Sequence, residues 1–148
     1  MNIGPAAQLE QFNLKKDYGN SLQWNFDSWH SSCKQGKAYD VIKIYDEAKK
    51  IAPDDKCRAM CEKNKGILCN KMAKWESSKD ENFDLEFVKF WSFWAADHFT
   101  ACYDLGRSSN DEEWAKKLGV HMQDTWNVMF SILTKIDGDS PIKIKLIL

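Results

Sequence analysis

The chain has 148 residues, a length that suits one domain with its own core. Lysine plus arginine number 21 and aspartate plus glutamate 22, a formal net charge of −1, which disfavours functions dominated by phosphate or anionic-lipid contacts. Hydrophobic residues make up 43% and charged residues 29%, a composition typical of an ordered globular protein. The lysine doublets are scattered among acids, so we expect no nucleic-acid binding.

The sequence also predicts the compartment. The N-terminus shows no basic start followed by an apolar run, and the longest apolar stretch, residues 87–99, is interrupted by Lys89 and Asp97. We therefore expect no membrane association. Five cysteines are an odd number, which fits reduced thiols better than a disulfide framework. These features predict an intracellular, cytoplasmic protein.

The first third of the chain changes from weak to strong helical patterning. Residues 1–18 are weakly patterned, and we interpret them as a flexible arm or a short helix. From about 20 to 34, Leu22, Phe26, Trp29 and Cys33 recur at steps of four, three and four, which is typical of one helix face. Gly36 is expected to end this helix.

Three further helices are expected between residues 38 and 105. The second spans about 38–52, where Pro53 blocks its continuation and Asp54 or Asp55 can cap the next helix. The third spans about 55–76, and a polar linker follows it. Residues 83–105 form the most apolar helix, with only a narrow polar side, and this pattern predicts a position at the centre of a bundle.

The C-terminal part contains one more helix and a tail. Gly106 and a capping-box pattern at 109–112 predict a helix over about 110–136. Residues 141–148 alternate and are β-branched, so we expect an extended strand that lies on the bundle or pairs with a second copy. The predicted fold is all-α, a single domain over 1–148 with about five helices in antiparallel hairpins and an extended tail. The hairpins cover 19–76, and two long helices cover 81–136.

Residues 22–75 resemble a tetratricopeptide repeat, a helix–turn–helix unit. Gly36, Tyr45, Ala48 and Pro53 stand at the spacings where that repeat has a turn glycine, an aromatic residue, an alanine and a closing proline. Gly66 matches the small residue that lets the next hairpin pack closely. The resemblance implies a short helical array that binds a peptide or protein on a concave surface. A generic helical bundle is the alternative.

The sequence contains none of the common catalytic or cofactor motifs that we sought. Both glycine-rich phosphate loops, the Gly-x-Ser-x-Gly elbow, the His-Glu-x-x-His motif and the Glu-x-x-His pairs of di-iron bundles are missing. We therefore predict no catalytic residues, no resident cofactor and a protein that is not an enzyme.

Two ligand hypotheses remain as alternatives. Cys57 and Cys61 are four residues apart on one predicted helix, and His98 and Cys102 are four apart on another, so together they form a candidate structural zinc site. Small thiols and a histidine are also ordinary core residues. The aromatic cluster around Phe90 and Trp94 is a candidate pocket for a small hydrophobic ligand.

The preferred function is a non-enzymatic interaction or adaptor module that binds a protein or peptide through a helical surface. Phe93 falls on the more polar side of its helix, where an exposed aromatic ring is typical of an interface. Val120 on the last helix is expected to extend that patch. The tail residues Ile142, Ile144 and Leu146 are expected to dock on a partner or on a second copy, forming a homo-oligomer.

Overall fold

The computed structural model describes residues 4–79, 83–107 and 112–137. These ranges contain five α-helices and one short 3-10 turn, and no strand. The helices are α1 (Pro5–Trp24), α2 (Lys34–Lys50), α3 (Asp55–Ser77), α4 (Leu85–Gly106) and α5 (Glu112–Asp137), and the 3-10 turn is Phe26–Ser28. The all-α prediction is confirmed. The predicted tail, including Ile142, Ile144 and Leu146, lies outside the described residues.

The N-terminal helix is the main correction to the predicted elements. An arm over 1–18 and a helix over 20–34 were expected, but α1 begins at Pro5 and ends at Trp24. Pro5 suits the first position of a helix. A backbone N–H at that position has no acceptor within the helix, so proline, which lacks the N–H, loses no hydrogen bond there. Phe26 and Trp29 belong to the turn that follows, with ring centroids 5.3 Å apart. In a 3-10 turn, residues three positions apart are neighbours. Phe26 and Trp29 therefore show a spacing that is also typical of one face of an α-helix.

The boundaries of α3, α4 and α5 lie within two residues of the predicted ones, whereas α2 begins at Lys34, four residues before its predicted start. Asp54 caps α3, because its carboxylate accepts a hydrogen bond from the backbone N–H of Cys57 at 2.8 Å. Gly106 is the last residue of α4, as expected. Gly36 lies inside α2 and not in a turn between helices, so it does not fill the turn position that the tetratricopeptide resemblance gave it.

The central helix is α3, where α4 was expected. Helix α3 contacts each of the other four helices. Contacts along each consecutive pair of helices show that the two run antiparallel. The closest neighbour of α3 is α4, at a point where Gly66 faces the ring of Phe99: a Cβ at Gly66 would lie 2.7 Å from that ring. The small residue at 66 therefore allows the two helices to approach, and α4 keeps one side exposed.

The core is built largely from aromatic and sulfur-containing side chains. Trp91, Tyr45, Phe12, Phe99, Leu68 and Met72 are the largest fully buried side chains. The cysteines are free thiols, and four of the five are buried in this core. Within the described ranges, no helix combines the length and the apolar content needed to cross a bilayer.

Candidate functional site

The most prominent surface feature is an exposed cluster of aromatic rings on α2 and α4. We call Tyr39, Phe90, Phe93 and Trp94 the aromatic face. Tyr39, Phe90 and Phe93 are 40%, 48% and 51% exposed, and Trp94 is half-buried. Contiguous exposed apolar side chains of this kind mark interaction surfaces in soluble proteins.

Ring contacts hold the aromatic face in place. The centroid of Trp94 lies 5.4 Å from Phe90 and 6.0 Å from Tyr39. Beneath them, the fully buried Trp91 contacts both Phe90 and Tyr39 at 5.4 Å. Phe93 follows Phe90 by three residues, so the two side chains are neighbours on the helix surface. The rings of Tyr39, Phe90 and Trp94 are therefore largely fixed before any partner arrives, which lowers the entropic cost of binding.

Charged residues flank Phe93 on the same exposed stripe of α4. Lys89 lies four residues before Phe93 and Asp97 four residues after it, and all three side chains are exposed. Lys89 also lies 3.7 Å from Glu86. One cation and one anion thus stand at equal distances along the helix on either side of a phenylalanine.

The structure separates Val120 from Phe93. Val120 is 69% exposed on α5, but Gly106 faces Trp114, and Ala96 shares a cavity with Trp126. This antiparallel alignment puts Val120 opposite about position 101, roughly 12 Å along the axis from Phe93 at 1.5 Å per residue. Val120 is thus exposed but lies about two helical turns from Phe93, and its part in the aromatic patch stays a prediction.

A buried charged network lies at the centre of the molecule, between α2, α3 and α4. The carboxylate of Glu62, on α3, accepts hydrogen bonds from Lys49 Nζ at 2.9 Å and Lys65 Nζ at 2.7 Å. His98 Nδ1, on α4, lies 2.8 Å from the other carboxylate oxygen of Glu62. Lys65 also contacts Asp46 at 2.5 Å. One carboxylate thus ties three helices together.

Burial and hydrogen bonding act in opposite directions on Glu62. Burial alone would raise its pKa, but the hydrogen bonds from His98, Lys65 and Lys49 outweigh that effect and lower the pKa to about 2. The same two effects oppose each other at the Lys65 ammonium. Burial lowers its pKa, but the hydrogen bonds to Asp46 and Glu62 have the larger effect, so the pKa lies above its ordinary value. Glu62 and Lys65 are therefore both charged at neutral pH.

Sequence reasoning missed this network. It predicted His98 either as a zinc ligand or as a hydrogen-bonded core residue, without a partner. The Glu62–Lys65 spacing of three residues indicates a helical ion pair, but such pairs usually lie in solvent, so nothing local signals their burial. The partners Asp46 and His98 come from other helices and are brought close only by the fold.

The four predicted zinc ligands are not gathered into one site. Gly66 of α3 faces Phe99 of α4, so Cys57, nine residues before Gly66, lies about 14 Å along the helix axis from the level of Phe99 and of its neighbour His98. In the described part of the chain, no group of three or more His, Cys, Asp and Glu side chains can hold a metal ion. Burial raises the pKa of Cys57 to about 11 and those of Cys61 and Cys102 to about 12, as it does for thiols packed in a core.

The comparisons add no relative to this description. Neither the protein-family models, nor the curated proteins, nor the solved structures give a match to this chain.

Proposed function

We propose that the protein is a non-enzymatic interaction module whose aromatic face binds a second copy of the same chain. The observation that carries the proposal is the placement of Phe93 between Lys89 and Asp97 on an exposed stripe. Exposed aromatic rings supply the apolar area that association needs, and aromatic residues are enriched where binding energy is concentrated.

Two-fold symmetry explains why the partner is a second copy. In a two-fold dimer, the same surface patch meets itself, so it has to be self-complementary. If two α4 helices pack antiparallel with Phe93 at the axis, each residue four positions before Phe93 faces the residue four positions after it. Lys89 of one copy then faces Asp97 of the other, twice per dimer. A patch with one sign of charge would repel its own copy.

The first test is the mass of the full chain in solution at micromolar concentration, by sedimentation velocity. The wild type is expected to be a dimer, and Phe93→Asp a monomer, because the substitution buries two carboxylates at the axis. Leu14→Asp is the matched control, since Leu14 is 67% exposed on α1, away from the aromatic face.

Far-UV circular dichroism establishes that each variant is folded. The proposal predicts that Leu14→Asp sediments as a dimer like the wild type. A monomeric wild type, or a Phe93→Asp variant that stays dimeric, would overturn the proposal.

A further inference from the structure

A second site lies on a different part of the surface, where the end of α1 meets the C-terminal half of α3. A cleft of about 450 Å³ is lined there by Trp24, Phe26, Asp27, Lys71, Lys74, Trp75 and Ser78. This volume falls within the range of small-molecule sites in proteins. The lining combines three aromatic rings with two lysines, and none of these residues belongs to the aromatic face.

Trp24 forms an exposed aromatic wall of the cleft. It is the last residue of α1 and is 87% exposed, the largest value among the exposed large hydrophobic side chains. Of the two other aromatic residues that line the cleft, Phe26 is buried and Trp75 is half-buried. A planar apolar group entering the cleft would cover the indole of Trp24 and gain stacking with it.

The cations around the cleft exceed the anions that face them. Lys74 already pairs with Asp124 at 2.5 Å. Lys71, by contrast, has no hydrogen-bond or ion-pair partner among the residues of the described ranges. The carboxylate of Asp27 acts on it only through its charge, which partly offsets the lowering of the Lys71 pKa by burial. Asp27 also acts on Lys34, so one carboxylate serves two lysines. Burial lowers the pKa of Lys34 and of Lys71. A second anion bound in the cleft would favour their charged forms and so oppose that effect.

Lys34 adds positive potential behind the cleft. Only 3% exposed, it donates a hydrogen bond from Nζ to the backbone oxygen of Phe26 at 2.7 Å. Its ammonium also lies 3.9 Å from the ring centroid of Phe26 and 5.4 Å from that of Trp75. Because a buried cation is weakly screened, it favours an anion bound on the open side of these rings.

We infer that this cleft is a binding site for a small planar organic anion, whose ring stacks on Trp24 and whose acidic group pairs with Lys71. An aromatic carboxylate has this chemistry. The cleft and the proposed dimer contact lie on different parts of the surface, so each can be tested independently of the other.

The test compares two probes of nearly equal shape on the full chain, naphthoate and its uncharged analogue naphthamide. Binding is followed by the NMR signals of the indole N–H groups and by titration calorimetry. Naphthoate is expected to shift the Trp24 and Trp75 signals and to bind about tenfold or more tightly than naphthamide. Equal affinities, or shifts confined to other tryptophans, would overturn the assignment.

Three variants locate the charge that matters. Lys71→Gln should weaken naphthoate about tenfold and leave naphthamide unchanged, whereas Lys43→Gln, at an exposed position on α2, should change neither. Asp27→Asn should strengthen naphthoate, because it removes the competing carboxylate. Unchanged naphthoate affinity in Lys71→Gln, or weaker binding in Asp27→Asn, would contradict the site.

Discussion

The buried centre of α3 and the exposed stripe of α4 reverse the usual relation between polarity and burial. Glu62 and Lys65 on α3 are only 3% and 4% exposed, whereas Phe90 and Phe93 on α4 are about half exposed. The charges are buried because they satisfy one another through hydrogen bonds. About half of each phenylalanine side chain, by contrast, is not covered by other residues that the structure describes. The first region therefore stabilises the fold, whereas the second leaves apolar side chains in contact with solvent.

Two phenylalanines of α4 provide the sharpest test of this contrast. Phe99→Ala should lower the free energy of unfolding by about 3–5 kcal/mol, because Phe99 is fully buried against Gly66. Phe93→Ala should change the stability of the monomer by about 0.5 kcal/mol or less. Urea unfolding at concentrations low enough to keep the chain monomeric measures both values. A large loss in Phe93→Ala would show that the exposed ring is structural.

The buried network should respond almost as strongly. Glu62→Gln leaves Lys49 and Lys65 without their shared carboxylate, and breaking a buried ion pair costs about 3–5 kcal/mol. The control is Glu86→Gln, which removes the partner of Lys89 at an exposed position and should cost about 0.5 kcal/mol or less. Equal urea midpoints for the two variants would refute the structural role of the network.

Acid should weaken the same network. The pKa of Glu62 is lowered from 4.5 to about 2 in the folded state, so its contribution to stability is present above pH 4.5 and is lost as the pH falls toward 2. The loss amounts to about 3 kcal/mol, because each tenfold change in proton affinity corresponds to about 1.4 kcal/mol. Urea midpoints measured between pH 6 and 2 should therefore fall more steeply for the wild type than for Glu62→Gln. Parallel curves would contradict the lowered pKa.

The smallest effect concerns thiol reactivity. Cys33 is the one exposed cysteine of five, and Cys57, Cys61, Cys69 and Cys102 are buried with raised pKa values. A thiol reagent such as dithionitrobenzoate should therefore modify one cysteine quickly in the native protein and all five after unfolding. Cys33→Ser should abolish the rapid phase. Rapid modification of several thiols would show that the core opens readily.

Local sequence signals predicted much of the fold. Pro53, Asp54 and Gly106 mark helix boundaries that the structure confirms, because each acts on the backbone next to it. Asn25 gave no comparable signal, so the break between α1 and the 3-10 turn was missed. The position of α3 at the centre was also missed, because the prediction followed apolar content, which is highest in α4. Polar residues in a sequence indicate an exposed position only where they have no hydrogen-bond or ion-pair partner inside the protein.

The candidate surface was only partly predictable. The exposure of Phe93 follows from its phase on α4 relative to Asp97, which the sequence contains, and the structure confirms that exposure. The partnership of Tyr39 with Trp94 depends on how α2 and α4 meet across α3, which no local pattern encodes. The cleft at Trp24 depends in the same way on where α1 ends.

The most direct test of self-association is a charge exchange at positions 89 and 97, measured by sedimentation equilibrium. Lys89→Glu and Asp97→Lys should each be monomeric alone, because like charges then meet twice across the two-fold axis. An equimolar mixture should form dimers, since both cross-axis contacts become attractive in the heterodimer. Dimers in the mixture but not in either variant would establish the antiparallel contact. Equal association of the two variants and their mixture would contradict it.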